Sequence, residues 1–205
     1  MRVGTFHIES MTPYCASRFH GTPKLDDKEQ PDAYDERTWR EKAYFNDAGF
    51  AYLQARSFKF SLISAAERLS MRIPGRRQAT YTKHFRSGLV LPDDIVTGET
   101  RETIKCVAVF VNADGKRGGG TRVLRRFPII HHWAGRLVVH ILDEIITPDV
   151  LEAHMREAAV FVGVGQNRPE RTGENGRWHI RGVDWIDDAA PVPRRAPLPA
   201  MAAAG

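Results

Sequence analysis

The segment Phe161–Ile180, FVGVGQNRPERTGENGRWHI, carries the densest set of residues able to handle phosphate. Gly163, Gly165, Gly173 and Gly176 punctuate it, and Arg168, Arg171 and Arg177 stand among them. Glycine lets a backbone come close to an anion and adopt positive φ. Arginine then clamps phosphate oxygens through its forked donors. The spacing is not a dinucleotide fingerprint, because Arg168 takes the third glycine's place and the motif follows a helix instead of a strand. No Gly-Lys-Ser/Thr occurs, so it is no P-loop either. The competing reading is a helix C-cap at Gly163 followed by an ordinary surface loop.

Two further basic clusters could meet a polyanion. Arg68, Arg72, Arg76, Arg77, Lys83 and Arg86 form one with no acid among them, and Lys116, Arg117, Arg122, Arg125 and Arg126 form the other. Tyr81 and Phe85 lie inside the first. Rings among cations suit a single strand, since rings stack on bases while cations track the backbone. Plain loop packing of the two rings is the alternative. The acids gather elsewhere, at Asp26, Asp27, Glu29, Asp32, Asp35, Glu36, Glu41 and Asp47, in what reads as a solvated or partner-facing loop. The formal net charge of +5 over 205 residues permits a polyanionic partner without requiring one.

Catalytic chemistry has weaker support. Among eight histidines, His7, His140 and His179 fall on expected strands and His131-His132 at a strand end, with no HExxH or comparable spacing. No metal and no cofactor is therefore expected. Cys15 and Cys106 make neither a disulfide framework nor a four-ligand zinc site, and Cys106, in an apolar strand, reads as inert. No run of about 18 apolar residues occurs, so no membrane span is expected. The opening MRVGTFHIES reads as no secretory signal, and a cytoplasmic protein is the expectation.

These residues need elements to position them. Arg2–Glu9 alternates as a strand, and Asn46–Gly49 is a hairpin turn. Ser57–Met71 reads as a helix with Ser57 as N-cap, because Leu62, Ala65, Ala66 and Leu69 share a face. Ile104–Val111, IKCVAVFV, is the clearest strand, and its near-continuous apolarity predicts burial on both faces or a central position. Thr121–Ile130 and Arg136–Leu142 read as strands. Thr147-Pro148-Asp149 starts a helix that runs to about Val162, and Arg177–Val183 is a last strand. The order is β-α-β-β-α-β, an α+β, ferredoxin-like or RNA-recognition-motif core. Residues 1–186 form the expected domain, with insertions at 10–54 and 72–103. The Pro- and Ala-rich stretch 187–205 is the expected flexible tail.

The glycine-arginine loop leading into a final strand resembles the hallmark loop of the RAMP superfamily of CRISPR-associated proteins. Ala55-Arg56-Ser57-Phe58-Lys59-Phe60-Ser61-Leu62 is similar to that family's first-helix start, although it lacks the usual Pro-Gly and the glycine after the lysine. Thr12-Pro13 ends the first strand much as in backbone-type members. The resemblance implies phosphate contacts at Ser57 and Lys59, at Gly163, Gly165, Arg168 and Arg177 in the adjacent loop, and at Arg76, Arg77, Lys83 and Arg86 with Tyr81 and Phe85 as thumb-like or groove residues. Arg171, Lys116, Arg117 and Arg122 extend the basic surface. It also implies RNA or single-stranded DNA as partner, self-association along the strand, and other effector subunits. The alternatives are a RAMP-like endoribonuclease, with His20, Asp26, Asp27 and Asp32 as candidates, or a basic phage or assembly protein acting through protein contacts.

Overall fold

Alternation along β1 (Arg2–Ser10) buries Phe6 and Ile8 and leaves the residues between them less covered. In the computed structural model, which describes residues 1–112 and 121–187, β1 lies inside a four-stranded antiparallel sheet. It pairs with β10 (Trp178–Ile186) on one side and β9 (Ala134–Ile141) on the other, and β5 (Leu89–Val90) pairs with the far edge of β9. Counting only these four in chain order, the sheet runs 4-1-3-2. Helix α2 (Ala55–Leu69) falls between the first and second strands, and α4 (Pro148–Glu157) between the third and fourth. The protein is α+β, with the ferredoxin-like order. Phe58, Leu62, Ala65 and Ala66 of α2 meet Leu151 and Met155 of α4 over Phe6, Ile8, Leu137 and Val139 of the sheet.

The second core strand is not where the apolar run predicts it. Ile104–Val111 becomes β7 (Lys105–Asn112), at the edge of a separate sheet with order β2 (Tyr14–Cys15), β8 (Arg122–Ile130), β7. No residue of β7 is buried. The hairpin's buried residues lie at its base, Ile104 and Phe127–Ile130, while Val123–Arg126 are half-buried and Arg125 and Arg126 reach Asp35 and Glu36. The hairpin lies in the second sheet, apart from the four-stranded core sheet. The 72–103 segment instead supplies α3 (Thr82–Ser87), β5 and β6 (Ile95–Thr100), and it buries Ile73, Tyr81, Phe85, Leu89 and Ile95. Lys116, Arg117 and nearly all of the 187–205 tail lie outside the described residues.

A third sheet joins β3 (Tyr44–Phe45), β4 (Phe50–Leu53) and β6. The expected turn closes it: Gly49 has φ 85°, and the Asn46 amide donates to the Phe50 carbonyl at 2.9 Å. The 26–47 segment is solvated only in part: Asp26, Asp27, Asp32, Glu36 and Asp47 are exposed, but the segment contains a helix and buries one acid. Its helix α1 (Pro31–Thr38) turns Asp35 inward to 2% exposure, where it accepts from Lys42 Nζ and the Arg126 amide, each at 2.5 Å. Glu29 pairs with Arg37, and Glu41 with Arg101.

Helix α2 starts two residues before the expected cap. Gln54 takes the cap position, and the Ala55 amide donates to Asp94 Oδ1 at 2.7 Å. Ser57 therefore lies inside the first turn. Helix α4 starts as expected, with Thr147 Oγ1 accepting from the Val150 amide at 3.4 Å. It continues as a π turn over Ala158–Val162 into Gly163.

Candidate nucleic-acid interface

The start of α2, the 163–176 loop and the polar chain after β2 meet at one groove. Tyr14, Ser17, Arg18, Tyr44, Gln54, Ser57, Gly165, Gln166 and Arg168 line a cavity of about 200 Å³. Arg168 also lines a cavity of about 140 Å³ with Ser57, Ser61 and Ser64. It lines a wider groove of about 910 Å³ as well, with Asn167 and Arg171 and with Phe110 and Arg122 toward the Asn112–Arg122 end of the hairpin. Cations from two basic clusters, Arg122 with Arg168 and Arg171, are thereby brought together.

The third cluster is not. Arg86 pairs with Glu67, ten residues beyond Ser57 along α2 or about 15 Å of helical rise. Arg76, Arg77, Lys83 and Arg86 thus belong to the opposite end of the helix. Tyr81 is 5% exposed and Phe85 is fully buried, stacked on His154 at 4.2 Å. These two rings are core residues that cannot stack on bases. Lys59 sits roughly 200° around the helix from Ser57, so it does not share Ser57's groove.

The glycines serve the chain's own backbone. A Cβ on Gly165 would come within 2.6 Å of the Cys15 carbonyl oxygen, and one on Gly173 within 1.7 Å of the Asn167 oxygen. The amides of Gly163, Val164, Gln166, Gly173 and Gly176 all donate to protein carbonyls, so the loop is not an open amide nest for phosphate. Its arginines are partly engaged too. Arg168 makes two bonds to Glu170, at 3.0 and 2.6 Å, and a third to the Gly165 carbonyl at 3.3 Å. Burial pushes the Glu170 carboxyl up, but hydrogen bonds from Ser64 and Arg168 outweigh it and hold the group below the usual carboxylate range. Arg177 is tied to Glu174 at 2.5 Å and to the Val160 carbonyl at 3.1 Å, which makes it a brace for the loop.

Arg18 was not singled out by its sequence. Its guanidinium lies 5.1 Å from the centroid of the Tyr44 ring and makes no ion pair among the described residues. One signal was available: no acid occurs between Glu9 and Asp26, so Arg18 sits in a locally uncompensated stretch.

The catalytic candidates stay apart. His20 Nδ1 bonds Thr22 at 3.2 Å, Asp26 accepts from the Lys28 amide, Asp32 is exposed on α1, and Asp27 is exposed in the preceding loop. None is bonded to His20. His7 pairs with Asp184 at 2.7 Å on the open side of the main sheet. Among the described residues no group of three His, Cys, Asp or Glu side chains could hold a metal, and no helix is long and apolar enough to cross a membrane. Burial pushes the Cys15 thiol up to about 12. Cys106, expected in a buried strand, is exposed because β7 is an edge.

No protein-family model matches the chain, and no curated protein does. Solved structures do. One chain of the cryo-EM structure of the Type III-B Cmr-beta bound to cognate target RNA matches with a TM-score of 0.52 at 12% identity. The two chains share a fold. The match covers 92% of this chain and 61% of that one, so this chain spans less than two thirds of its neighbour's length.

Proposed function

We propose that this chain is a RAMP-type subunit of a ribonucleoprotein that holds single-stranded RNA by its phosphates. The observation that carries the reading is the position of Arg168, which lines three cavities linking Arg18, Ser57 and Arg122 near the far end of the β7–β8 hairpin. The fold likeness to a chain from a complex bound to target RNA supports the same reading. The strand runs along the groove with its phosphates against Arg18, Arg168 and Arg122. The first turn of α2, which carries no acid of its own, adds its positive dipole end. Self-association along the strand belongs to the same proposal and is read by size-exclusion chromatography with and without RNA.

The test is a salt titration with a labelled single-stranded RNA, repeated with DNA of the same sequence. Affinity falls as salt rises, and Arg18→Ala and Arg168→Ala each flatten the log–log slope by about 0.7, the increment for one single-strand phosphate contact. Binding indifferent to salt refutes the proposal. Glu170→Gln releases Arg168 from its internal carboxylate, so this variant binds RNA more tightly at low salt than the unaltered chain. Weaker binding there would mean that Glu170 is needed to aim Arg168.

A further inference from the structure

The β3–β4–β6 sheet turns its aromatic side outward. In β4, Phe50-Ala51-Tyr52-Leu53, the core receives Ala51 and Leu53 at 1% and 0% exposure, while Phe50 is 40% exposed and Tyr52 half-buried. Its neighbours repeat the pattern. Tyr52 pairs with Tyr44 across one ladder and with Val96, 51% exposed, across the other, whereas Ile95 and Thr97 of β6 are buried. A one-residue slip of β4 would bury the rings and expose the alanine. Large apolar side chains held outward as a group mark a binding surface more often than single exposed ones do.

The position of this surface names its occupant. The Tyr44 and Tyr52 rings lie 5.5 Å apart with a 39° tilt, and Arg18 covers Tyr44. Tyr44 and Arg18 also line the groove that holds Gln54, Ser57, Gly165 and Arg168. The aromatic face is therefore continuous with the cationic groove, and Arg18 stands at the junction. Burial, with the charge of Asp94 added, raises the pKa of the Tyr52 hydroxyl against the opposing pull of Arg18.

We propose that Tyr44, Tyr52 and Phe50 form a stacking platform for the bases of a single strand whose phosphates lie in the Arg18–Arg168 groove. The inference rests on the proposed RNA-binding function and adds to it where the bases go. Cations track the backbone and rings accept any base face, so the platform is tolerant of sequence.

The experiment compares two labelled probes at one salt concentration: oligouridine, and a ribose-phosphate chain of equal length without bases. The unaltered chain prefers oligouridine. Phe50→Leu with Tyr52→Leu lowers oligouridine affinity about ten-fold and leaves the baseless probe within about two-fold, as expected for lost stacking. Tyr52→Trp, which keeps a π face, retains the preference. Equal affinity of the unaltered chain for both probes, or equal loss on both, overturns the platform while leaving the phosphate groove standing. Failure of the unaltered chain to bind either probe overturns both proposals.

Discussion

Gly176→Ala will destabilise the protein by about 3 kcal/mol or more, far beyond an ordinary surface change. Gly176 has φ 76°, and a Cβ there would sit 1.8 Å from the Val164 carbonyl oxygen. That carbonyl belongs to the backbone, so no side-chain rotation relieves the overlap. Two strands of chain must separate, and the bond from the Val164 amide to the Gly176 carbonyl at 3.0 Å goes with them. The control is Gly98→Ala on β6, where nothing lies within 4 Å and φ is ordinary. Urea unfolding of both variants gives the answer. A Gly176→Ala midpoint no lower than that of Gly98→Ala would mean that the loop accommodates a side chain and that its glycines are not structural.

Asp35→Ala should cost about 3–5 kcal/mol, the range for breaking a buried ion pair from one side. The substitution strands the Lys42 ammonium, only 12% exposed, and removes the acceptor of the Arg126 amide. Helix α1 buries no apolar side chain, since Asp35 and Thr38 are its buried residues. Asp35→Asn keeps an acceptor and should lose less. Asp32→Ala, exposed on the same helix, should change thermal stability by no more than about 0.5 kcal/mol. If Asp32→Ala and Asp35→Ala melt together, the α1 contact to β8 contributes nothing to stability.

These two sites show what residue patterns could and could not convey. The glycines of 163–176 were legible as positions of close backbone approach. Their partner was not, because both a phosphate and a distant carbonyl ask for a residue without Cβ. Asp35 looked like one acid among eight in a polar run. Only long-range packing puts it beside Lys42 and Arg126. Conversely, Thr147-Pro148 and Asn46–Gly49 were readable because capping and turn chemistry are settled within four residues. The IKCVAVFV run misled for a related reason. Apolarity states a capacity for burial, and the chain used Leu89–Val90 for the core sheet, leaving β7 at an edge. Its strand character was right and its place was not.

By itself, the sequence determined the α+β class, the helix between the first core strand and the rest, the helix before the last strand, and the two helix faces that cover the sheet. Each follows from periodicity that neighbours within a turn or a strand can read. The tertiary structure alone decided the rest. It set Arg18 beside Arg168, sent Arg76 and Arg86 to the far end of α2, took Tyr81 and Phe85 into the core, and turned Tyr44, Phe50 and Tyr52 outward. Those outcomes depend on contacts between residues tens of positions apart. Local pattern fixes which faces are apolar, and only the competition among all such faces for one core fixes which remain outside to meet a ligand.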